Sequence, residues 1–384
     1  MAKLGEVFTI ASGGTPDKGN PFYYENGTIP WVKTCDLKNQ YVPTGIDCIT
    51  EEGLNNSPAK LFPPNTVLVA MYGATIGACS ILSYEAATNQ ACAAFLPNEN
   101  VLPTYLYYFL LSKRDQFVKD GVGGAQPNIS AGYLKNVQFD LVPVRQQEVI
   151  VERLDKIENL IALRKQQLQK LDELVKARFV ELFGDCLSNP KGWKTKCLED
   201  IAEVGSSKRV FVEELREDGI PFFRGTEVGA LAEGKQITPE LFITEQHYAE
   251  LCKATGTPRI GDLLMPSICP DGRIWLVNTD KPFYFKDGRV LWVHAIDTSY
   301  NPVFLLYTLK DRIMTDYSSI ASGTTFAELK IFALKKCQVF DVPITLQNEF
   351  AAFVKQTDKS KVVVQKALDE AQLLFDSLMQ QYFG

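Results

Sequence analysis

Long apolar runs are missing from this chain. None of its 384 residues falls in an uninterrupted stretch of about eighteen apolar positions, the length a membrane helix needs. The start, Met-Ala-Lys-Leu-Gly-Glu, has no apolar h-region, so no signal peptide is expected. Histidine is scarce: His247 and His294 are the only two, which leaves little for His-rich zinc chemistry or a Ser–His–Asp triad. The nine cysteines contain no CxxC pair. An odd, unpatterned set without a secretion signal suggests reduced thiols and a cytoplasmic location. A Walker A loop and a helix-opening GxGxxG are both absent. Asn20-Pro21-Phe22 and Asn301-Pro302-Val303 lack the second proline of the Asn/Asp-Pro-Pro-Tyr/Phe motif and read as turn or helix-start prolines. Asp271 has no Glu-x-Lys at the spacing of a metal-dependent nuclease. Surplus positive charge is missing too, since 40 Lys and Arg against 46 Asp and Glu leave −6. Simple nucleic-acid binders are usually basic. Such a role here requires basic residues gathered on one face or positive charge lent by other subunits.

What is present is a duplicated rod. In residues 143–184, Ile150, Leu154, Ile157, Ile161, Leu168, Leu171, Val175 and Leu182 recur on alternating steps of four and three, with Arg164 and Arg178 interrupting the series. This is a heptad seam on one long helix. About forty residues at roughly 1.5 Å each make a rod of about 60 Å, and Gly184 is the expected stop. An isolated apolar seam needs a partner. Two hundred positions later, Phe350, Val354, Thr357, Val364, Leu368, Ala371, Phe375, Leu378 and Tyr382 take up the same register in residues 343–384. Arg164 and Arg178 are expected either to set register against this second rod or to snorkel to solvent.

The segments between the rods repeat as well. Ile29-Pro30-Trp31-Val32-Lys33 is matched by Ile220-Pro221-Phe222-Phe223-Arg224, and a helix expected over 103–118 is matched by one over 302–313. Strands are expected at 65–71, 91–96 and 137–141, with a tight glycine turn at 72–77. A repeat of this size is a duplicated domain, not a solenoid. The expected fold class is α/β (α+β): similar globular domains at 1–142 and 185–342, separated by long antiparallel spacer helices at 143–184 and 343–384. Pseudo-two-fold symmetry and a circular arrangement, with Gly384 near Met1, follow from the duplication.

Each half carries polar, glycine-rich loops. Ser12, Thr15, Lys18, Lys33, Thr34, Lys38, Tyr72, Thr75, Gln126 and Asn128 are the candidate contacts in the first half. Lys208, Arg209, Arg224, Thr226, Arg273, Thr324 and Thr325 are those in the second. Arg and Lys suit guanine edges, Asn and Gln adenine, and Ser and Thr either. Backbone amides and short hydroxyls suit phosphates. Divergent loops on two similar domains suit two different half-sites. A non-DNA interaction scaffold, with the coiled coil as a spacer between proteins, is the competing reading.

The whole chain resembles the specificity subunit of a type I restriction–modification system. The resemblance rests on Ser12-Gly13-Gly14-Thr15-Pro16, Ile29-Pro30-Trp31, Gly73-Ala74-Thr75-Ile76-Gly77, Ala125-Gln126-Pro127-Asn128-Ile129-Ser130, and the strand-Pro-x-x-x-Gln start of each rod at Pro143 and Pro343. It implies two target recognition domains on spacer helices and no catalysis by this chain. It also implies a bipartite double-stranded DNA site, two docked modification subunits that carry S-adenosylmethionine, and restriction subunits that use ATP and magnesium. No cofactor or metal is expected on the chain itself, and no membrane partner. The second half departs from the pattern, with Ser322-Gly323-Thr324-Thr325-Phe326 in place of the Gln-Pro-Asn run and Asp271-Gly272-Arg273 in place of Ala74-Thr75-Ile76.

Overall fold

The computed structural model describes residues 1–121, 128–323 and 327–384. The chain divides into two compact units, one of residues 1–166 with 365–384, the other of residues 167–364. Gln126, Thr324 and Thr325 lie outside the described residues.

In the first unit the order is β1 (Ala2–Lys3), α1 (Leu4–Val7), β2 (Ile10–Ser12), β3 (Ile29–Val32), β4 (Cys48–Ile49), α2 (Glu51–Asn55), β5 (Leu61–Phe62), β6 (Val67–Ala70), β7 (Cys79–Ile81), β8 (Ala86–Thr88), β9 (Cys92–Phe95), α3 (Pro103–Ser112), α4 (Arg114–Asp120), α5 (Ala131–Asn136) and β10 (Gln138–Phe139), followed by the long helix α6 (Val144–Phe183), which continues into the second unit. The central sheet is β2-β9-β6-β7, and a second sheet is β4-β3-β8-β5 with β3 and β8 parallel. All four residues of β6 and all four of β9 are buried, which means both faces of the sheet are covered. Alternation along the strands divides them between two cores. Val67, Val69, Ala93 and Phe95 face a core shared with α3 and α6, while Leu68, Ala70, Cys92 and Ala94 face a smaller core with Val32 and Phe62.

The second unit continues with β11 (Thr195–Cys197), β12 (Glu203–Gly205), β13 (Ile220–Phe223), α7 (Gly225–Ala232), β14 (Phe242–Ile243), α8 (Glu245–Thr255), β15 (Leu263–Pro266), β16 (Trp275–Leu276), β17 (Tyr284–Phe285), β18 (Val290–His294), α9 (Pro302–Ile320), β19 (Ala321–Ser322), β20 (Glu328–Leu329), α10 (Ile331–Lys335), β21 (Gln338–Phe340) and the second long helix α11 (Ile344–Phe383), which ends in the first unit. Its sheet order β12-β18-β15-β16 repeats that of the first unit, and β13 again runs parallel to β17. The same division of faces recurs. Leu263, Met265, Leu291 and Val293 join one core, and Leu264, Val290 and Trp292 the other.

Two helices and one strand differ from the sequence expectation. The helix expected over 103–118 is two helices, parted at Lys113 (φ −90°, ψ 1°), whose ammonium turns away to donate to the carbonyl of Phe383. Its counterpart α9 runs beyond Ile313 to Ile320 and leaves helical geometry at Asp316 (φ −134°, ψ 36°). The strand expected over 137–141 is only Gln138 and Phe139, paired with β1.

Both long helices begin on the same buried clip. Gln147 is fully buried; its Oε1 accepts the Leu102 N–H at 2.8 Å, and its Nε2 donates to the carbonyls of Asn100 and Val142. Gln347, also fully buried, accepts from the Asn301 N–H at 2.8 Å and donates to Ser299 and Val342. A buried amide that satisfies three backbone groups fixes where the helix leaves the sheet. Gly184, at φ +86°, ends α6 with its N–H on the Val180 carbonyl. Only glycine takes that conformation without a Cβ penalty.

In the first unit Ile150, Val151 and Leu154 of α6 pack with Met379 and Phe383 of α11, flanked by half-buried Phe375, Leu378 and Tyr382. Ile161 and Ala371 are buried, and Ile157 and Leu368 half-buried. In the second unit Val175, Phe179 and Phe183 of α6 share a core with Phe350 and Val354 of α11. There Val364 and Thr357 are buried, while Leu168, Leu171 and Leu182 are half-buried. Ion pairs from Arg178 to Glu349 (2.6 Å) and from Asp172 to Lys361 (2.7 Å) run in opposite chain directions, so the helices are antiparallel in this unit. No helix among the described residues is long and apolar enough to cross a membrane.

Candidate nucleic-acid interface

Strand pairing gathers most of the first unit's candidate loops around one short turn, residues 89–91. The Asn89 N–H donates to Val32 O at 3.0 Å, which places the turn beside Lys33 and Thr34. The Gly14 N–H donates to Thr88 O at 2.9 Å, and the Thr15 hydroxyl meets Gln90 Oε1, bringing in the loop after Ser12. On the other side the Met71 N–H donates to Ala91 O (2.8 Å) and the Ile129 N–H to Met71 O (3.0 Å). Tyr72 then forms an isolated bridge with Asn128. Tyr72 is 44% exposed, so its ring is open to a ligand. Thr75 instead caps its own turn, its hydroxyl donating to Tyr72 O. Lys33 is tied to Asp47 at 2.5 Å, a hydrogen bond that raises its pKa. Lys18 and Lys38 are exposed, but no hydrogen bond among the described residues ties either to the 89–91 turn.

The second unit builds the same frame. The Lys286 N–H donates to Phe223 O at 2.9 Å, the Ser267 N–H to Arg289 O at 2.9 Å, and the Leu329 N–H to Ser267 O at 2.7 Å. These three bonds pair Lys286 with Asn89, Arg289 with Ala91 and Glu328 with Asn128 as structural equivalents. Ser206 links its loop to this turn, its hydroxyl donating to Val290 O and accepting from the Gly288 N–H. Lys208 and Arg209 follow it, exposed, with the Arg209 guanidinium 5.2 Å from the Phe211 ring centroid.

Arg224, Thr226 and Arg273 meet at a cavity of about 400 Å³ that is also lined by Ser267, Lys286 and Arg289. The guanidiniums are held by carboxylates. Arg224 donates through Nε to Glu227 (3.0 Å) and through an Nη to both Glu227 and Glu240. Arg273 pairs with Asp271 at 2.8 Å, and Arg289 with Glu328. Burial alone would raise the Glu227 carboxyl; the hydrogen bonds from Arg224, from backbone amides and from the Thr226 hydroxyl outweigh it and bring its pKa down to about 2. Hydrogen bonding from Lys330 lowers that of Glu328. Among the described residues no group of three or more His, Cys, Asp or Glu is placed to hold a metal ion.

Sequence reasoning missed Asn89, Gln90, Lys286 and Arg289. Each sits in a short polar turn that looks like an ordinary solvated connection. The available signal was positional, because each turn precedes a strand buried on both faces.

A family model described as the type I restriction modification DNA specificity domain matches residues 1–173 and 190–371. The MjaIX type I restriction enzyme specificity subunit of Methanocaldococcus jannaschii is 26% identical over an alignment of 411 positions, which covers 99% of this chain and 91% of that protein. The EcoR124I/EcoR124II specificity subunit of Escherichia coli is 30% identical over 194 positions, 49% of this chain and 48% of that subunit. Among solved structures, the S subunit of a type I restriction-modification system from M. genitalium has a TM-score of 0.55 at 15% identity, covering 100% of this chain and 95% of that one. A chain from a study of type I R-M complex assembly and conformational transition has a TM-score of 0.61 at 16% identity, covering 100% and 96%. At these identities the two structures share the fold.

Proposed function

This chain belongs to the type I restriction modification DNA specificity family, and from that premise we propose that it is the DNA-reading, non-catalytic subunit of a type I restriction–modification complex. Residues 1–142 and 185–342 act as target recognition domains, and residues 143–184 and 343–384 as spacer helices. Each domain reads one half of an asymmetric, bipartite site in double-stranded DNA. Two modification subunits, with S-adenosylmethionine, dock on the chain, and restriction subunits using ATP and magnesium complete the complex in the cytoplasm.

The observation that carries this reading is the duplicated loop frame. Three equivalent backbone hydrogen bonds recur in the two units: two hold the 89–91 turn or the 286–289 turn, and the third ties Ile129 to Met71 or Leu329 to Ser267 beside it, while the side chains presented there differ. One rigid frame with two sets of base-reading groups is what two unlike half-sites require. The acidic balance of the chain is compatible with this role, because phosphate neutralisation is a shared, salt-dependent term that partner subunits can supply. The scaffold alternative is not favoured by relatives that are themselves specificity subunits.

The test is binding of labelled duplexes by the complex with its modification subunit, titrated against salt. Selective binding of one bipartite sequence that persists as salt rises supports the reading, and equal binding of all duplexes overturns it. Calorimetry of the chain alone with S-adenosylmethionine is expected to show no binding.

A further inference from the structure

We propose that the cavity of the second unit reads a G·C pair through guanine, whereas the equivalent turn of the first unit presents amides suited to adenine. This rests on the DNA-reading function above and assigns the chemistry of one half-site.

Four cationic side chains line the cavity: Arg224, Arg273, Lys286 and Arg289. Two ligand groups on DNA could meet them, a phosphate or the O6/N7 edge of guanine. Charge balance decides between these. The three guanidiniums face Glu227, Glu240, Asp271, Glu233 and Glu328, and Lys330 shares Glu328, so with Lys330 counted five cations stand against five carboxylates. A phosphate site draws its affinity from net positive charge, and here that charge is cancelled. Guanine carries no net charge and asks instead for two donors at fixed geometry.

The carboxylates leave such donors in place. Among the described residues Arg289 spends only Nη1, on Glu328, which leaves Nε and Nη2 as a two-pronged edge. Arg224 spends Nε and Nη2 and keeps Nη1. Lys286 has no ion pair among the described residues and its side chain is exposed beside them. A guanidinium pinned on one side by a carboxylate loses little rotamer freedom on meeting a base, so its donors are already oriented.

The first unit is the internal comparison. At the positions equivalent to Lys286, Arg289 and Glu328 it has Asn89, Ala91 and Asn128, with Gln90 between the first two. These side chains carry no charge; the Asn89 and Gln90 amide oxygens accept from the Ala91 N–H and the Thr15 hydroxyl, and each keeps a second lone pair beside its NH2 group for the bidentate pairing with adenine N6 and N7.

The experiment maps methylated adenines in DNA modified by the full chain with its modification subunit, then repeats the map with Lys286→Ala and with Arg289→Ala. Both side chains are exposed, and circular dichroism checks that each variant folds. The expected result is a G·C pair in one half-site, with discrimination at that pair reduced roughly five- to 150-fold in the variants, and an unchanged second half-site. Uniform weakening on all sequences with a shallower salt dependence would assign the cavity to phosphate and overturn the proposal. So would relaxed discrimination at an A·T pair. In either case a sequence-selective wild-type map would leave the DNA-reading function standing; only a wild-type complex without sequence preference would overturn that function, and this assignment with it.

Discussion

The two globular units are alike in backbone and unlike in what that backbone displays. Both have a four-stranded sheet buried on both faces, a parallel strand pair beside it, and a glutamine clip at the start of a long helix. They diverge at one turn, where Asn89, Gln90 and Ala91 in the first unit correspond to Lys286 through Arg289 in the second. Hydrogen bonds between main-chain groups are indifferent to side chain, so a duplicated frame survives substitution at its rim. Buried positions have no such freedom, because volume changes in a packed interior are costly.

If the units share one plan, matching substitutions should have matching effects. The largest is expected at the end of each long helix. Phe183 is fully buried among Phe179, Phe304 and Phe350, so Phe183→Ala should cost about 3–5 kcal/mol. Phe383, which is 6% exposed and packs on Tyr105 and Phe109, should cost somewhat less. Urea unfolding followed by hydrogen exchange should place each loss in its own unit; a Phe183 effect confined to the first unit would break the comparison.

The clips come next. Gln147→Leu and Gln347→Leu each strand one half-buried N–H and two carbonyls, which should cost roughly 1–3 kcal/mol apiece. Near-equal losses in denaturant titration would support a common role, and a neutral result at either site would contradict it.

A smaller effect should be confined to the second unit. Glu227 has its pKa lowered from 4.5 to about 2. The folded state therefore gains stability that is complete above about pH 4.5 and is lost as the pH falls towards about 2. In Glu227→Gln the acid slope over that window should flatten, as measured by unfolding curves at a series of pH values. An unchanged slope would mean that Arg224 does not hold this carboxylate. The smallest effect is expected for Arg178→Ala. Its bridges to Glu181 and Glu349 are exposed, and such pairs add little in water. The variant should unfold with an unaltered midpoint; a clearly lowered midpoint would show that these pairs do contribute to stability.

The long helices were legible in sequence because a sustained three-four repeat of apolar residues forms a single stripe only on a helix. The packing near their ends was not. Val151, Phe179, Met379 and Phe383 are buried yet lie off the heptad seam. A straight helix of 3.6 residues per turn drifts from a 3.5 repeat, and where a rod meets a globular core its apolar face widens. The polar segments after Ser12 and at Lys33 were legible from composition, whereas the one expected as a loop at Arg224 is the cap and first turn of α7, closed by the Glu227 carboxylate on the Arg224 N–H. The 89–91 and 286–289 turns were hidden, because only strand pairing brings residues so far apart in the chain to one place. Arg224 shows the remaining gap: a lone arginine in sequence gives no sign of the two glutamates that orient it.

The central claim is that one chain reads two unlike half-sites through one repeated frame. The most direct test is to co-express the chain with its modification subunit and map methylated adenines across a genome. The account expects a single asymmetric sequence made of two short blocks separated by a fixed number of unspecified base pairs. A symmetric site, a single continuous block or methylation without sequence preference would contradict it.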